Sequence, residues 1–182
     1  MEGGENRLKV NNHVLAIIQV FETFIDIDTN VLLQEIKKSD EKMNNDINHS
    51  FFEDYKCPNT PLLNELKNRI KDKTQEIMGV NLEYAKSWIH KTSPKASTGL
   101  HNHRGNFCSF VYYPNFIERQ GGLRFIIFWN GKIIERIITP EKKMLLIFPS
   151  EVFHYTGQND TKEERISISG NFDMQQKEQK KE

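Results

Sequence analysis

The second half of the chain is a series of short strand-like runs, and this pattern limits the fold more than any other feature. Seven runs begin at Leu82, each rich in apolar residues and separated from the next by Gly, Pro, Asn or Asp. Short strands with regular turn residues predict a sandwich or barrel rather than a parallel sheet. We expect strands over residues 82–90, 107–113, 123–129, 132–138, 144–148, 152–156 and 165–170. The run over 123–129 is apolar on nearly both faces, which predicts that it lies inside the packed body.

The first half of the chain predicts one strand and two helices. A β-branched and aromatic stretch over residues 14–28 favours a strand, followed by a short helix over 29–38. Residues 39–57 predict a long loop. A second helix is expected to begin at Pro61, where the missing N–H needs no partner, and to end at Gly79. The predicted fold class is α+β and mainly β: a jelly roll, or cupin-like double-stranded β-helix, with N-terminal helices packed outside.

Length, composition and charge predict one domain with polar ends. The 182 residues include 12 Phe, 5 Tyr and 2 Trp, which suffice for a single core. Flexible tails are predicted over residues 1–12 and 173–182, on either side of one domain over 13–172. The 25 basic and 25 acidic residues cancel, so no overall field attracts nucleic acid. No apolar run reaches the roughly 20 residues of a membrane helix. Two cysteines without an apolar leader predict a cytoplasmic protein.

Three of the six histidines stand where one metal ion could use them. His101 and His103 are two residues apart, so in an extended chain their imidazoles point to the same side. They lie where a polar loop enters an apolar strand, and functional residues favour such positions. His154 follows a later strand, although a lone histidine there could equally be half-buried packing. The other histidines are predicted to be ordinary surface or packing residues: His13, His49 and His90.

The last predicted strand carries a polar face that could bind a carboxylate. Arg165, Ser167 and Ser169 alternate with Ile166 and Ile168, so the three polar side chains share one face. That face would meet solvent on an edge strand and a cavity inside a barrel. The planar guanidinium of arginine is the side chain best suited to bidentate binding of a carboxylate.

Together these motifs resemble the iron(II)/2-oxoglutarate oxygenases, specifically a small phage and bacterial subgroup of 2OG-Fe(II) oxygenases. The resemblance covers roughly residues 88–172, and both the order and the spacing of the motifs agree with the subgroup. In chain order the motifs are Trp88, His101-Asn-His103, Val111-Tyr-Tyr113, Phe148-Pro-Ser150, His154, Arg165-Ile-Ser167 and Asn171-Phe172.

The resemblance implies a 2-oxoglutarate/Fe(II)-dependent dioxygenase. Such an enzyme uses Fe(II), 2-oxoglutarate and dioxygen to hydroxylate a protein side chain or small metabolite, and it releases succinate and CO2. His101 and His154 match the family's two histidine ligands. Arg165 matches the residue that binds the distal carboxylate of 2-oxoglutarate, and Ser167 is expected to assist it.

Two assignments within this resemblance stay open. The wider superfamily has Asp or Glu where this chain has His103. His103 is either the third ligand, which we favour, or lies behind the ligands, or replaces His101 as the first ligand. Either Tyr112 or Tyr113 lines the pocket, since adjacent strand residues point to opposite faces, and we favour Tyr113. The predicted catalytic and metal-binding set is therefore His101, His103 and His154, with Arg165, Ser167 and Tyr113 on the co-substrate.

Two functions of a different class compete with the oxygenase. One is a cupin-like metal- or ligand-binding module without oxygenase activity. The other is a metal-free jelly-roll interaction domain. The sequence leaves the oligomeric state open, with a homodimer as one option, and it does not distinguish a small-molecule substrate from a protein substrate.

Overall fold

The computed structural model describes residues 18–43 and 53–175. In this part of the chain the elements are β1 (Phe21–Phe24), α1 (Thr29–Met43), β2 (Glu53–Lys56), α2 (Pro61–Met78), β3 (Leu82–Thr92), β4 (Cys108–Tyr112), β5 (Leu123–Trp129), β6 (Lys132–Ile138), β7 (Met144–Pro149), β8 (Phe153–Thr156) and β9 (Arg165–Met174). None of the described helices is both long enough and apolar enough to cross a membrane.

The strands form two antiparallel sheets. The larger has the order β1-β7-β4-β9-β3-β2, and the smaller has the order β6-β5-β8. An isolated bridge between His101 and His154 joins the segment before β4 to the free edge of β8. The larger sheet uses strands from both ends of the chain, and from β4 onward the chain crosses between the two sheets after β4, β6, β7 and β8, as in a jelly roll. The predicted fold class is confirmed.

Both helices pack on the outer face of the larger sheet. The Asp28 carboxylate accepts hydrogen bonds from the backbone N–H of Asn30 and Val31 at 3.0 and 3.1 Å, which caps α1. Pro61 begins α2, and Gly79 ends it with a φ of 68°. The apolar faces of the helices then meet alternate residues of the sheet. The core between them includes Leu32, Ile36, Leu63, Leu66, Ile70, Ile89, Phe110, Tyr112, Leu145, Ile147 and Ile168.

A second core fills part of the space between the two sheets. Along β4 the residues alternate, so Phe110 and Tyr112 join the helix-side core, whereas Val111 and the following Tyr113 join the inner one. The members of the inner core are Val111, Tyr113, Leu123, Phe125, Met144, Leu146, Phe148 and Val152. One part of the space between the sheets is therefore filled by apolar side chains, and the remaining part is available to polar side chains.

Several predicted boundaries differ from the structure. β1 has only four residues, and α1 continues to Met43 rather than ending at 38. β2 lies within the predicted loop because its backbone pairs with β3, a partner distant in sequence. β9 continues to Met174, past the predicted domain end at 172, because Asp173 and Met174 pair with the start of β3. The predicted N-terminal tail over 1–12 and residues 176–182 of the C-terminal tail predicted over 173–182 lie outside the described residues.

The prediction that residues 123–129 lie inside the packed body is wrong for the end of β5. Phe128 is 62% exposed and Trp129 is 70% exposed. β8 pairs only with residues 123–126 of β5, so within the described part of the chain no strand pairs with the last residues of β5 on that side. The tip of the β5–β6 hairpin therefore extends past the end of β8, the third strand of the small sheet.

Candidate metal centre

Three histidines meet because the loop before β4 is attached to β8 by backbone hydrogen bonds. The N–H of His101 donates to the carbonyl of His154 at 3.0 Å, and the N–H of His154 donates back at 2.8 Å. The N–H of His103 donates to the carbonyl of Ser150 at 2.8 Å. One ring nitrogen from each of His101, His103 and His154 lies within 4.8 Å of the other two. Among the described residues, no other group of His, Cys, Asp and Glu side chains is arranged in this way.

Hydrogen bonds select the tautomer of two of these histidines. The Nδ1 atom of His101 lies 2.8 Å from the carbonyl oxygen of Gly99, and Nδ1 of His154 lies 2.9 Å from that of Val152. A carbonyl oxygen only accepts, so Nδ1 carries the proton in both rings. The Nε2 lone pairs are then free to bind a metal ion, as in histidine ligands generally.

Burial keeps His154 in the neutral form that a metal ligand requires. The side chain is 4% exposed, and this burial lowers the pKa of His154 to about 3. The nearby His101 and His103 lower the pKa further, whereas the hydrogen bond to Val152 opposes the shift. At neutral pH the imidazole is therefore unprotonated.

The three histidines have aromatic neighbours on one side and are accessible to solvent on the other. Phe148 lies 4.8 Å from the His154 ring, and Trp88 lies 5.3 Å from the His103 ring, measured between ring centroids. His103 is half-buried and His101 is exposed. The group is thus supported by aromatic packing on one side and accessible from the other, which is the arrangement a reactive rather than a closed metal site needs.

The donor set fits a divalent transition metal. Imidazole nitrogen suits iron, zinc, copper and nickel, and three protein ligands leave coordination positions for other molecules. No carboxylate of the described residues belongs to the group. His101, His103 and His154 therefore have the chemistry to hold one Fe(II) ion through three neutral nitrogens.

The histidines open into a cavity of about 390 Å³ between the two sheets. Its walls include Tyr113 and Ser167 from the larger sheet and Thr98 and Thr156 from the smaller-sheet side. Thr98 and Thr156 are linked through their hydroxyls at 3.0 Å. Tyr112 lies on the opposite face of the larger sheet, where its hydroxyl donates to the carbonyl of Ile25 at 3.1 Å. Of the two candidate tyrosines, the structure places Tyr113 at the cavity.

Arg165 is buried beyond Ser167 and is not among the residues that line the cavity. The side chain is 1% exposed. Its Nη1 donates to the carbonyls of Gln120 and Gly121 at 2.6 and 3.1 Å, and more weakly to that of Gly157 at 3.4 Å. Burial lowers the pKa of Arg165, and the neighbouring Tyr113 opposes that shift. The guanidinium is thus a fixed cation behind the cavity wall.

One wall residue was not predicted from the sequence. His90 was expected to be a surface or packing residue, yet it lines the cavity together with Trp88. They share one face of β3 because they are two residues apart, and they lie opposite Ser167 and Ser169 of β9. The sequence could have predicted this position of His90, because Trp88 already belongs to one of the motifs and residues two apart in a strand share a face.

The protein is a jelly roll of the double-stranded β-helix class, and three convergent histidines at its internal cavity could hold a metal ion. A family model described as "Putative 2OG-Fe(II) oxygenase" matches residues 130–171, which contain His154, Arg165 and Ser167. No curated protein matches the sequence.

Solved structures of 2-oxoglutarate oxygenases share the fold. A prolyl-4-hydroxylase from Pseudomonas putida has a TM-score of 0.62 at 20% identity, over 86% of this chain and 93% of that chain. HygX from Streptomyces hygroscopicus, with nickel and 2-oxoglutarate bound, has a TM-score of 0.68 at 10% identity, over 86% and 82%. A prolyl hydroxylase from Trichoplax adhaerens, in complex with a hypoxia-inducible-factor peptide fragment, has a TM-score of 0.62 at 13% identity, over 86% and 83%.

The resemblance to the iron(II)/2-oxoglutarate oxygenases is confirmed, since a family model of that description matches residues 130–171 and solved structures of such enzymes share the fold. Fe(II) and 2-oxoglutarate are the cofactor and co-substrate of that class, and the three histidines can hold the metal.

Proposed function

We propose that this protein is an iron(II)- and 2-oxoglutarate-dependent dioxygenase that hydroxylates a protein side chain or a small metabolite. The co-products are succinate and CO2. The observation that carries the proposal is the convergence of three imidazoles within 4.8 Å at an internal cavity.

In this proposal His101, His103 and His154 hold the metal. A bound ion would leave positions for 2-oxoglutarate and dioxygen, and it would supply the redox chemistry by which 2-oxoglutarate, dioxygen and a substrate C–H bond give succinate, CO2 and the hydroxylated substrate. The proximity of all three ring nitrogens supports His103 as the third ligand, in preference to a position behind the ligands. The paired backbone hydrogen bonds between His101 and His154 keep the set assembled.

Arg165, Ser167 and Tyr113 bind the co-substrate in this proposal. Ser167 and Tyr113 both line the cavity. Burial raises the pKa of Tyr113, and the positive charge of the neighbouring Arg165 opposes part of that rise. A buried guanidinium attracts a carboxylate more strongly than an exposed one, because little water screens the two charges. The three side chains would therefore orient the distal carboxylate of 2-oxoglutarate at the end of the cavity away from the metal.

The substrate would enter from the side of His101. That histidine is the exposed member of the metal set, and Leu100 beside it is 52% exposed. A protein side chain is one candidate because the Trichoplax adhaerens relative in fold is a prolyl hydroxylase in complex with a peptide fragment. A small metabolite is the other, since the cavity of about 390 Å³ is large enough for a ligand beside the co-substrate.

The test is metal and 2-oxoglutarate binding followed by turnover. The wild-type protein is expected to bind about one Fe(II) per chain and, with ascorbate as the reductant in place of a substrate, to form succinate and CO2 from 2-oxoglutarate and dioxygen. His101→Ala and His154→Ala should lose the metal and the succinate. Asn102→Ala is the matched control, because Asn102 stands between two of the ligands and bonds only weakly to the Glu151 carbonyl at 3.3 Å.

Two results would count against this function. Absence of metal from the wild-type protein after loading under anaerobic conditions would contradict the three-histidine centre. Tightly bound zinc together with indifference to 2-oxoglutarate would favour the cupin-like binding module instead.

A further inference from the structure

We propose that His90 is a further co-substrate-binding residue, whose imidazole donates a hydrogen bond to the distal carboxylate of 2-oxoglutarate. The inference rests on the proposed function, because it assigns one more side chain to the same cavity. "Distal" refers to the carboxylate farther from the metal.

The register between β3 and β9 places His90 in a double row of side chains. Trp88 is opposite Ser169, His90 is opposite Ser167, and Thr92 is opposite Arg165. Directly opposed residues of an antiparallel pair lie on the same face of the sheet. Trp88, His90, Ser167 and Ser169 all line the cavity, so this face of the two strands forms part of its wall.

The two ends of the double row are the metal centre and the buried guanidinium. At one end the ring of Trp88 lies 5.3 Å from the ring of His103. At the other end the hydroxyl of Thr92 accepts a hydrogen bond from Nη2 of Arg165 at 2.9 Å. A co-substrate held at the metal and at Arg165 must therefore pass His90, which is the middle residue of its row.

The length of the step along β3 matches the co-substrate. Two residues of a strand advance about 6.6 Å, which is comparable to the span of extended 2-oxoglutarate between its outermost carboxylate oxygens. A molecule whose first carboxylate is at the level of Trp88 therefore has its second near the level of His90 and Ser167. Arg165, opposite Thr92, is one step farther along the strand pair.

The hydrogen bonds of Arg165 leave room for another donor. Its Nη1 is already bonded to the carbonyls of Gln120 and Gly121, and its Nη2 to Thr92. A carboxylate has two oxygens, each of which accepts more than one hydrogen bond. His90 and Ser167 are directly opposed in the strand pair and both line the cavity. An imidazole N–H and a hydroxyl at these positions can supply donors that the guanidinium does not.

The experiment compares three His90 variants of the full chain loaded with Fe(II) under anaerobic conditions. His90→Phe and His90→Leu remove the donor, with a larger and a smaller apolar side chain, so that one folded variant suffices. Each is expected to weaken 2-oxoglutarate binding about 10-fold to 100-fold, the effect of one hydrogen bond to a charged group. His90→Gln places an amide donor near the same point and should restore binding to within about fivefold of wild type.

Metal affinity separates a binding role from a structural one. The Fe(II) dissociation constant should stay within about threefold of wild type in all three variants, while the 2-oxoglutarate KM rises and kcat is retained. Equal 2-oxoglutarate affinity in wild type, His90→Phe and His90→Leu would overturn the inference and leave the proposed function intact. A parallel loss of Fe(II) affinity, or no rescue by glutamine, would also overturn it. Wild-type protein that binds Fe(II) but no 2-oxoglutarate would refute both proposals.

Discussion

Replacing Arg165 with methionine should destabilise the fold, independently of any effect on co-substrate binding. The guanidinium joins three segments: the turn at Gln120 and Gly121, the end of β8 at Gly157, and Thr92 of β3. Methionine fills similar space but donates no hydrogen bond. The substitution therefore leaves buried acceptors without a donor while it removes a buried charge.

The expected loss is about 4 kcal/mol. Gln120 is 1% exposed and Thr92 is 0% exposed, so water cannot replace the lost donor at either position. Each buried acceptor that loses its partner costs about 1–3 kcal/mol. Release of the guanidinium from a buried position offsets part of that cost. For a domain of this size about 4 kcal/mol lowers Tm by roughly 8–16 °C.

Urea and thermal unfolding of the metal-free protein would measure the loss, with Arg124→Met as the matched control. Arg124 lies on the outer face of the small sheet, where its side chain is 32% exposed and pairs with Glu135 at 3.2 Å. A partly exposed ion pair of this kind contributes about 1 kcal/mol or less. The reasoning would be refuted if Arg165→Met and Arg124→Met reduced the free energy of unfolding by equal amounts.

Two further predictions concern stability. Burial raises the pKa of the Cys108 thiol from 9.0 to about 12, and it raises the pKa of Tyr113 above its ordinary value of 10.0. The unfolded chain therefore loses these protons first, and stability should fall by about 1.4 kcal/mol per pH unit for each ionising group, above pH 9.0 for Cys108 and above pH 10.0 for Tyr113. Urea midpoints across this range would show it, with a shallower fall in Cys108→Ala. Gly170→Ala should cost about 2–3 kcal/mol, because the new Cβ would lie 2.5 Å from the buried ring of Phe110. Gly99→Ala, whose Cβ meets nothing within 4 Å, should change unfolding by less than about 0.5 kcal/mol.

The β5–β6 hairpin shows why much of the fold was predictable from the sequence. Both strands have the predicted bounds, and the Asn130-Gly131 pair between them adopts positive φ values of 48° and 70°. That backbone is the one required by a two-residue hairpin turn, and Asn-Gly is its strongest sequence signal. Where turn residues and strand alternation are both local, sequence alone locates the element.

β2 and His90 show where sequence reasoning stopped. The residues of β2 form a strand because they pair with the edge of β3, and their own composition does not predict a strand. His90 faces the cavity because of its register with β9. Both facts depend on pairing between distant segments. The three metal-site histidines are brought together in the same way, but there the resemblance to a known family supplied the missing information.

The proposed metal site has no carboxylate among the described residues, and this affects co-substrate binding. Three neutral imidazoles leave the full charge of a divalent ion uncompensated, and the apolar neighbours Trp88 and Phe148 provide few dipoles to offset it. The dianion of 2-oxoglutarate would neutralise that charge, while the buried Arg165 attracts its other end. His103 stands where the wider superfamily has an acidic residue. In the proposed site this exchange therefore weakens metal binding and strengthens the attraction of the loaded centre for an anionic co-substrate. Metal and co-substrate should accordingly bind with positive coupling, each raising the affinity for the other by the same factor.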